Sequence, residues 1–108
     1  MTQESGARQG DKIIVHVDPE LEDLIPGFLE NRRNDIKSML EALEQGDFET
    51  IRVLGHSMKG SGWGYGFDAI TEMGGFLEQA AKKRDADEVR KWVGELVTYL
   101  ERVEVVSR

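Results

Sequence analysis

The stretch from Asp47 to Gly66, which reads DFETIRVLGHSMKGSGWGYG, decides the fold of this chain. Placed on a helix at about 100° per residue, its side chains separate into two faces. The apolar face carries Ile51, Leu54, Met58 and Tyr65. The opposite face carries Glu49, Arg52, His56, Lys59, Gly60 and Trp63. The pattern predicts an amphipathic helix over about residues 48–65, with Asp47 as its N-cap and Gly66 at its end.

His56 stands on the polar face of this predicted helix, so we do not expect it to fill the core. Imidazole is a competent nucleophile near neutral pH, because its ordinary pKa is about 6.5. Lys59 follows three residues later and can reach a phosphate on that imidazole as a point charge. Gly60 leaves no side chain between His56 and an approaching partner. The three residues together indicate a site that carries a phosphoryl group.

The run from His56 to Gly60 resembles the motif of the histidine phosphotransfer (HPt) domain family. That motif reads His-x-x-Lys-Gly, with a further Gly ten positions after the His, and here that position is Gly66, followed by Phe67. The resemblance covers about Asp18 to Val103. A pentapeptide alone says little, but this one lies on the second long helix of a four-helix pattern.

Apolar residues at helical spacing predict three further long helices. One precedes the motif over about residues 27–45. Two follow it over about 68–83 and 86–103, with Asp68 and Asp85 as their caps. Short connections indicate antiparallel neighbours. The predicted fold is all-α, an antiparallel up-down four-helix bundle with a short extra N-terminal helix. The predicted inward side chains are Phe28, Leu29, Ile36, Met39, Leu40, Leu43, Ile70, Met73, Leu77, Ala80, Ala81, Val89, Trp92, Val93, Leu96, Tyr99, Leu100 and Val103.

The extra helix is predicted over about residues 19–24. Asp18 and Pro19 suit an N-cap and the first helical position. Pro26 has no backbone N–H and clashes with a preceding helical turn, so it predicts a break at Ile25–Pro26.

The chain before this helix is predicted to lack regular structure. Residues 13–17 alternate apolar side chains, but no second strand is evident, so we expect an extended arm lying on the bundle. Residues 1–12 are mostly polar and predict a flexible tail. Residues 13–108 are then expected to form one HPt domain.

Composition narrows the function classes. A chain of 108 residues with 39% hydrophobic side chains fits one domain with a modest core. It has no cysteine and a net charge of −7, which argue against a thiolate metal site and against nucleic-acid binding. No apolar run approaches the ~20 residues of a membrane span, so a cytoplasmic protein is expected. Only Glu49 offers a carboxylate close in sequence to His56, so no metal site is predicted.

Three residues on the motif face are candidates for binding a partner. Arg52 could contact an acidic surface, and Gly60 would allow close approach. Trp63 would suit a partner's apolar surface, or it could pack under the bend at Gly66; both readings stay open. Glu78, on the third long helix, is a candidate for a polar contact near the motif.

Glycines alternate with other residues from position 60 to position 66. Each one inside a helix costs about 1 kcal/mol relative to alanine. A phosphate-binding P-loop would need a preceding strand and a Lys-Ser/Thr pair, and neither is present. We expect tight helix–helix approach at Gly62 and partner approach at Gly60, and we derive no role for Gly64.

The resemblance implies a histidine-containing phosphotransfer protein of a multistep two-component phosphorelay. His56 would accept a phosphoryl group from the phosphoaspartate of a receiver domain and pass it to another receiver, while Lys59 stabilises the phosphate charge. The expected partners are response-regulator receiver domains and, as a further candidate, a hybrid histidine kinase. Mg²⁺ is expected on the receiver. The chain itself is expected to hold no cofactor and no ATP site, and so to be a carrier rather than an enzyme.

Two alternatives stay open. One is a helical docking module whose histidine is never phosphorylated. The other is the phosphoacceptor segment of a larger histidine kinase, which would take phosphate directly from a kinase ATP domain.

Overall fold

A computed structural model describes residues 12–108 of the chain. The four α-helices are α1 (Ile25–Glu44), α2 (Phe48–Ser61), α3 (Asp68–Lys82) and α4 (Ala86–Arg102). Two 3₁₀-helices, Pro19–Leu24 and Trp63–Tyr65, precede α1 and follow α2. Two strands, β1 (Ile13–Val17) and β2 (Val103–Ser107), flank the helical part. The all-α prediction is confirmed for this helical part. The predicted flexible tail, residues 1–12, lies outside the described residues apart from Lys12.

The helices pack around one core. Contacts run from α1 to α2, from α2 to α3, from α3 to α4 and back from α4 to α1. Most side chains predicted to point inward are buried. Leu40 is an exception and is exposed, while Ala42 on the same helix is buried instead. Phe67, which precedes α3, is fully buried although the helical pattern did not include it.

Aspartate caps fix the starts of two helices. The Asp47 carboxylate accepts a hydrogen bond from the Thr50 backbone N–H at 3.1 Å, and Asp85 accepts one from the Glu88 N–H at 3.1 Å. Each bond satisfies a donor that has no partner inside its helix. Asp68 was predicted to cap α3 and does not, because it is the first helical residue and Phe67 occupies the cap position.

Pro26 lies inside the first turn of α1 rather than before it. A proline is tolerated there because the N–H that it lacks would have no intrahelical partner. The helix therefore begins at Ile25, two residues earlier than predicted. The break predicted after Ile25 lies before it, between Leu24 and Ile25. The segment expected to form a short extra helix is a 3₁₀-helix.

The prediction that residues 13–17 form an unpaired arm is wrong, because β1 pairs with β2 in parallel. The register places Ile13 opposite Val103 and Val17 opposite Ser107. Val103 was predicted to end the last helix, but its backbone is extended, with φ −69° and ψ 134°, and α4 stops one residue earlier. The partner strand thus comes from the far end of the sequence, where helical periodicity concealed it.

Candidate functional site

The site is built where α2 and α3 approach each other closely. A Cβ added at Gly74 would lie 2.6 Å from the Lys59 backbone nitrogen, and one added at Gly55 would lie 2.8 Å from the Glu78 nitrogen. Real Cβ atoms do not come this near to a neighbouring backbone, so only glycine fits at either position. Gly62 also packs closely, since its Cβ would lie 2.7 Å from the Thr71 nitrogen. The close approach expected at Gly62 is present.

These contacts also give the direction of the two helices. Gly55, in the middle of α2, faces the later part of α3 around Glu78, whereas Gly62, after α2, faces Thr71 near the start of α3. The two helices therefore run antiparallel. Their polar edges meet beside this glycine contact, and His56 lies at that edge.

His56 and Glu78 are joined by a hydrogen bond across the two helices. The distance from His56 Nδ1 to Glu78 Oε2 is 3.0 Å. The histidine side chain is 67% exposed and the glutamate side chain only 5% exposed. A buried carboxylate thus holds one nitrogen of an imidazole that otherwise faces solvent. His56 therefore points away from the core, as its position on the polar face predicted.

Two lysines share the same carboxylate. Lys59 donates from Nζ to Glu78 Oε1 at 3.4 Å, and the Nζ of Lys82 lies 3.8 Å from Oε2. Burial raises the pKa of the Glu78 carboxyl, but the hydrogen bonds with His56 and Lys59 and the charges of Lys59 and Lys82 outweigh it. The pKa of Glu78 is therefore held below its ordinary value, and the side chain is an ionised acceptor at neutral pH.

An ionised Glu78 fixes the hydrogen on the imidazole. A carboxylate can only accept, so Nδ1 of His56 carries the hydrogen and donates it. In the neutral ring the other nitrogen, Nε2, then holds the lone pair. Among the hydrogen bonds of the described residues, none involves Nε2. The arrangement presents one nucleophilic nitrogen to solvent on a ring whose carboxylate partner is shared with two ammonium groups.

The three predicted partner-binding residues differ in their surroundings. Arg52 donates from Nε to Glu49 at 2.9 Å, so its charge is already paired. Gly60 is exposed, and an added Cβ would meet nothing within 4 Å. Trp63 is 66% exposed and belongs to the 3₁₀-helix after α2. It does not pack under the bend at Gly66.

Sequence reasoning missed three contributors to the site. Gly55 and Gly74 carry the close approach, and Lys82 supplies a second ammonium group. A glycine among the inward residues of a helix costs stability, so Gly74, between Met73 and Leu77, was a signal for close packing. Lys82 lies one turn after Glu78 on the same helix, which would have pointed to the pair once Glu78 was placed.

No group of three His, Asp or Glu side chains within residues 12–108 is arranged to hold a metal ion. Each helix in this range is too short or too polar to cross a lipid bilayer.

The fold and the site define a class: a helical-bundle domain that presents one exposed imidazole, held by a buried carboxylate, on the face of two antiparallel helices. A family model described as Hpt domain matches residues 23–105. The chain belongs to the Hpt domain family, whose members are histidine phosphotransfer modules of two-component phosphorelays. Searches of curated proteins and of solved structures found no match.

Proposed function

We propose that this chain carries phosphoryl groups between receiver domains, with His56 as the phosphoacceptor. The observation that carries the proposal is the bond from His56 Nδ1 to Glu78 in an otherwise exposed imidazole. This bond leaves Nε2 as the one accessible nucleophilic nitrogen of the His56 ring. Membership of the Hpt family supports the same reaction class.

The transfer is an in-line displacement at phosphorus. Nε2 of His56 forms the new P–N bond while the bond from phosphorus to the receiver's aspartyl oxygen breaks, and the aspartate leaves as a carboxylate. The hydrogen on Nδ1 stays on the ring, where Glu78 stabilises the positive charge that develops. The reverse displacement hands the group to a second receiver. Mg²⁺ belongs to the receiver, and this chain contributes no metal and no ATP site to the step.

Lys59 and Lys82 are placed to neutralise the transferred phosphoryl group. Both are about half exposed and held loosely by Glu78, at 3.4 and 3.8 Å. A lysine is a mobile point charge, so each can turn from the carboxylate to a phosphoryl oxygen at little cost. Gly60 leaves the approach to His56 free, and Trp63 offers an apolar surface to the docked receiver. Arg52, paired with Glu49, contributes less to docking than its charge suggests.

The chain is thereby a carrier that acts in the cytoplasm with receiver domains, among them that of a hybrid kinase. A permanently unphosphorylated docking module does not require an exposed imidazole held in one orientation, whereas a segment fed directly by a kinase ATP domain would use the same Nε2. An experiment that identifies the source of the phosphate distinguishes the proposed carrier from these two alternatives.

The test uses phosphorylated receiver domains as donors and measures acid-labile phosphate on this chain. The wild-type protein should take up phosphate, and His56→Gln should take up none while its melting changes little, because the side chain is exposed and the glutamine amide N–H can replace Nδ1–H as a donor to Glu78. The chain has two histidines, so His16→Gln is the matched control and should transfer normally. Phosphate uptake by His56→Gln would refute the assignment, as would uptake from a kinase ATP domain and from no receiver.

A second variant separates docking from chemistry. Lys59→Ala should slow transfer at saturating receiver by more than it weakens binding, because its charge is needed where phosphoryl charge develops. Lys91→Ala, on an exposed position of α4, is the control for a general loss of charge. An unchanged rate in Lys59→Ala would remove Lys59 from the mechanism.

A further inference from the structure

The ribbon of β1 and β2 has one backbone edge that no other strand of residues 12–108 pairs with. Successive residues of a strand direct their N–H and C=O groups to opposite edges. The Arg108 N–H donates to the Val17 carbonyl at 3.1 Å, so Arg108, and with it Val106 and Glu104, direct their backbone groups to β1. Val103, Val105 and Ser107 therefore direct theirs away from it.

This outer edge of β2 lacks partners within residues 12–108. The Val103 N–H is used by the last turn of α4, where it donates to Tyr99. The N–H groups of Val105 and Ser107 have no backbone acceptor in the described part of the chain. The strand sequence is VEVVS, rich in β-branched residues and free of the proline and lysine that commonly protect an edge. Two strands alone are also marginally stable in water.

We propose that the outer edge of β2 pairs with the same edge of a second copy of this chain. The pairing is antiparallel about a twofold axis at Val105, and it joins the two ribbons into one four-stranded sheet. It allows four hydrogen bonds: one from each Val105 N–H to the partner's Val105 carbonyl, and one from each Ser107 N–H to the partner's Val103 carbonyl.

The sequence of β2 is complementary to itself in this register. Val105 meets its own copy, Val103 lies opposite Ser107, and Glu104 lies opposite Val106. Within Val103–Ser107 no two like charges face each other, although the strand carries a glutamate and like charges directly opposite are destabilising. Just beyond the strand, Arg108 falls opposite Arg102 of the other copy, so the pairing is complementary over β2 itself and not beyond it. Glu104 is already paired with Lys12 across the ribbon at 3.3 Å, and the lysine partly offsets the negative charge of the glutamate.

The surface beside the edge suits the same partner. Val105 lines a cavity of about 550 Å³ whose floor includes Ile25, Pro26 and Leu29, with Glu22, Glu30 and Arg33 around it. Glu30 and Arg33 on this rim already pair with each other at 3.2 Å, which leaves little like-charge repulsion between them across a twofold axis. None of the four side chains at the candidate site, His56, Lys59, Glu78 and Lys82, lines this cavity. The proposed contact therefore uses none of the residues of the candidate site, and it does not depend on the proposed transfer reaction.

Disulfide trapping tests the axis directly, because the chain has no cysteine of its own. Val105→Cys places two thiols at opposed positions whose Cα atoms are about 5.5 Å apart, within disulfide range. Ser107→Cys is the control: it is more exposed, but its two copies would lie about 13 Å apart, too far to bridge. Mild oxidation should link Val105→Cys into a dimer and leave Ser107→Cys monomeric. Equal linking of both, or linking of Ser107→Cys alone, overturns the proposal.

Charge variants at one exposed-face position test the register without new bonds. In Val106→Glu, the new glutamate of each copy lies opposite Glu104 of the other copy. These two like-charge pairs should raise the dissociation constant of the dimer roughly two- to thirty-fold. Val106→Lys should preserve or strengthen it, and adding Glu104→Lys to Val106→Glu should restore it. Sedimentation equilibrium gives the dissociation constants, and circular dichroism confirms that each variant is folded. A wild-type protein that stays monomeric at millimolar concentration refutes the proposal, even if an extended peptide from another protein binds this edge.

Discussion

The α2–α3 contact and the α1–α4 contact are built in opposite ways. Between α2 and α3, glycines bring the backbones together, so that any side chain at Gly55 or Gly74 would collide with the opposite helix. Between α1 and α4, the helices leave a cavity of about 440 Å³ lined by Arg33, Ile36, Val97, Leu100 and Glu101. One pair is fixed by backbone contact, while the other is bridged by side chains that can adjust.

The difference follows from what each contact has to hold. His56 and Glu78 come from different helices, and their 3.0 Å hydrogen bond survives only if the two backbones cannot slide. Backbone contact at glycine allows less movement than flexible side chains do, because close-packed atoms have few alternative arrangements. The α1–α4 side holds no comparable bond between titratable groups, so its packing is free to be looser.

The largest effect is expected at Gly74. Gly74→Ala should lower the free energy of unfolding by about 1–3 kcal/mol, because the new methyl group would meet the backbone of Lys59. Gly75→Ala is the matched control. Its Cβ would lie 3.6 Å from Lys59 Cδ, an ordinary contact, so it should gain up to about 1 kcal/mol of helix propensity. Urea unfolding measures both, and equal effects would mean that α2 and α3 are not fixed by their backbones.

Removing the charge that links the two helices should have a smaller effect, and one that depends on pH. Glu78→Gln is expected to lower the free energy of unfolding by on the order of 1 kcal/mol at pH 7. Glutamine replaces only part of the hydrogen bonding that the charged carboxylate provides. The pKa of Glu78 is lowered in the folded state, so its contribution is present above the ordinary glutamate pKa of about 4.3 and is lost as pH falls through the lowered pKa.

Urea unfolding of wild type and Glu78→Gln at pH 7 and at pH 3 measures this contribution. The difference between the two proteins should be smaller at pH 3 than at pH 7. A difference that stays constant between these pH values would show that Glu78 acts through packing and not through its charge.

A third substitution separates helix stability from access to the site. Gly60→Gln should raise stability by several tenths of a kcal/mol, because Gly60 is exposed and an added side chain meets nothing. It should also block phosphoryl transfer by filling the approach to His56. Gly94→Gln, at a similarly open position on α4, should give the same gain and leave transfer intact. If both variants transfer normally, the receiver docks on another face.

The smallest effect is expected in the α1–α4 contact. Val97→Ile adds one methyl group beside the cavity and should change the free energy of unfolding by less than about 0.5 kcal/mol in either direction. Chemical denaturation next to Gly74→Ala gives the comparison directly. A loss as large as that of Gly74→Ala would mean that both contacts are equally intolerant of added volume.

The sequence predicted the helical bundle because local signals mark it. Apolar spacing, the glycine Gly66 after the motif helix and the capping aspartates Asp47 and Asp85 each act within one or two turns of chain. It also placed His56 on the polar face of its helix, since that depends on periodicity alone. Leu40 was misplaced because it lies at the edge of the predicted apolar stripe, about 40° past Ile36, whereas the buried face of α1 is turned the other way, towards Met39 and Ala42.

Contacts between distant residues were harder to predict. Glu78 is 22 residues from His56, and only the packing of α2 on α3 brings them together. Lys82 joins the site only through Glu78, so the sequence did not identify it before that carboxylate was placed. β2 was hidden because Val103 continues the apolar spacing of α4, and its partner, Ile13, lies near the other end of the chain.

The parallel pairing of β1 with β2 also has a consequence for the order in which the molecule assembles. Ile13 can meet Val103 only after the intervening chain is compact, because closing so long a loop is entropically costly before the helices have packed. The α2–α3 hairpin, whose contacts are close in sequence, can form early. The ribbon is then the last part to form and the first to open. Its amide hydrogens should exchange with solvent through local opening, while those of α2 and α3 should exchange only when the whole domain unfolds.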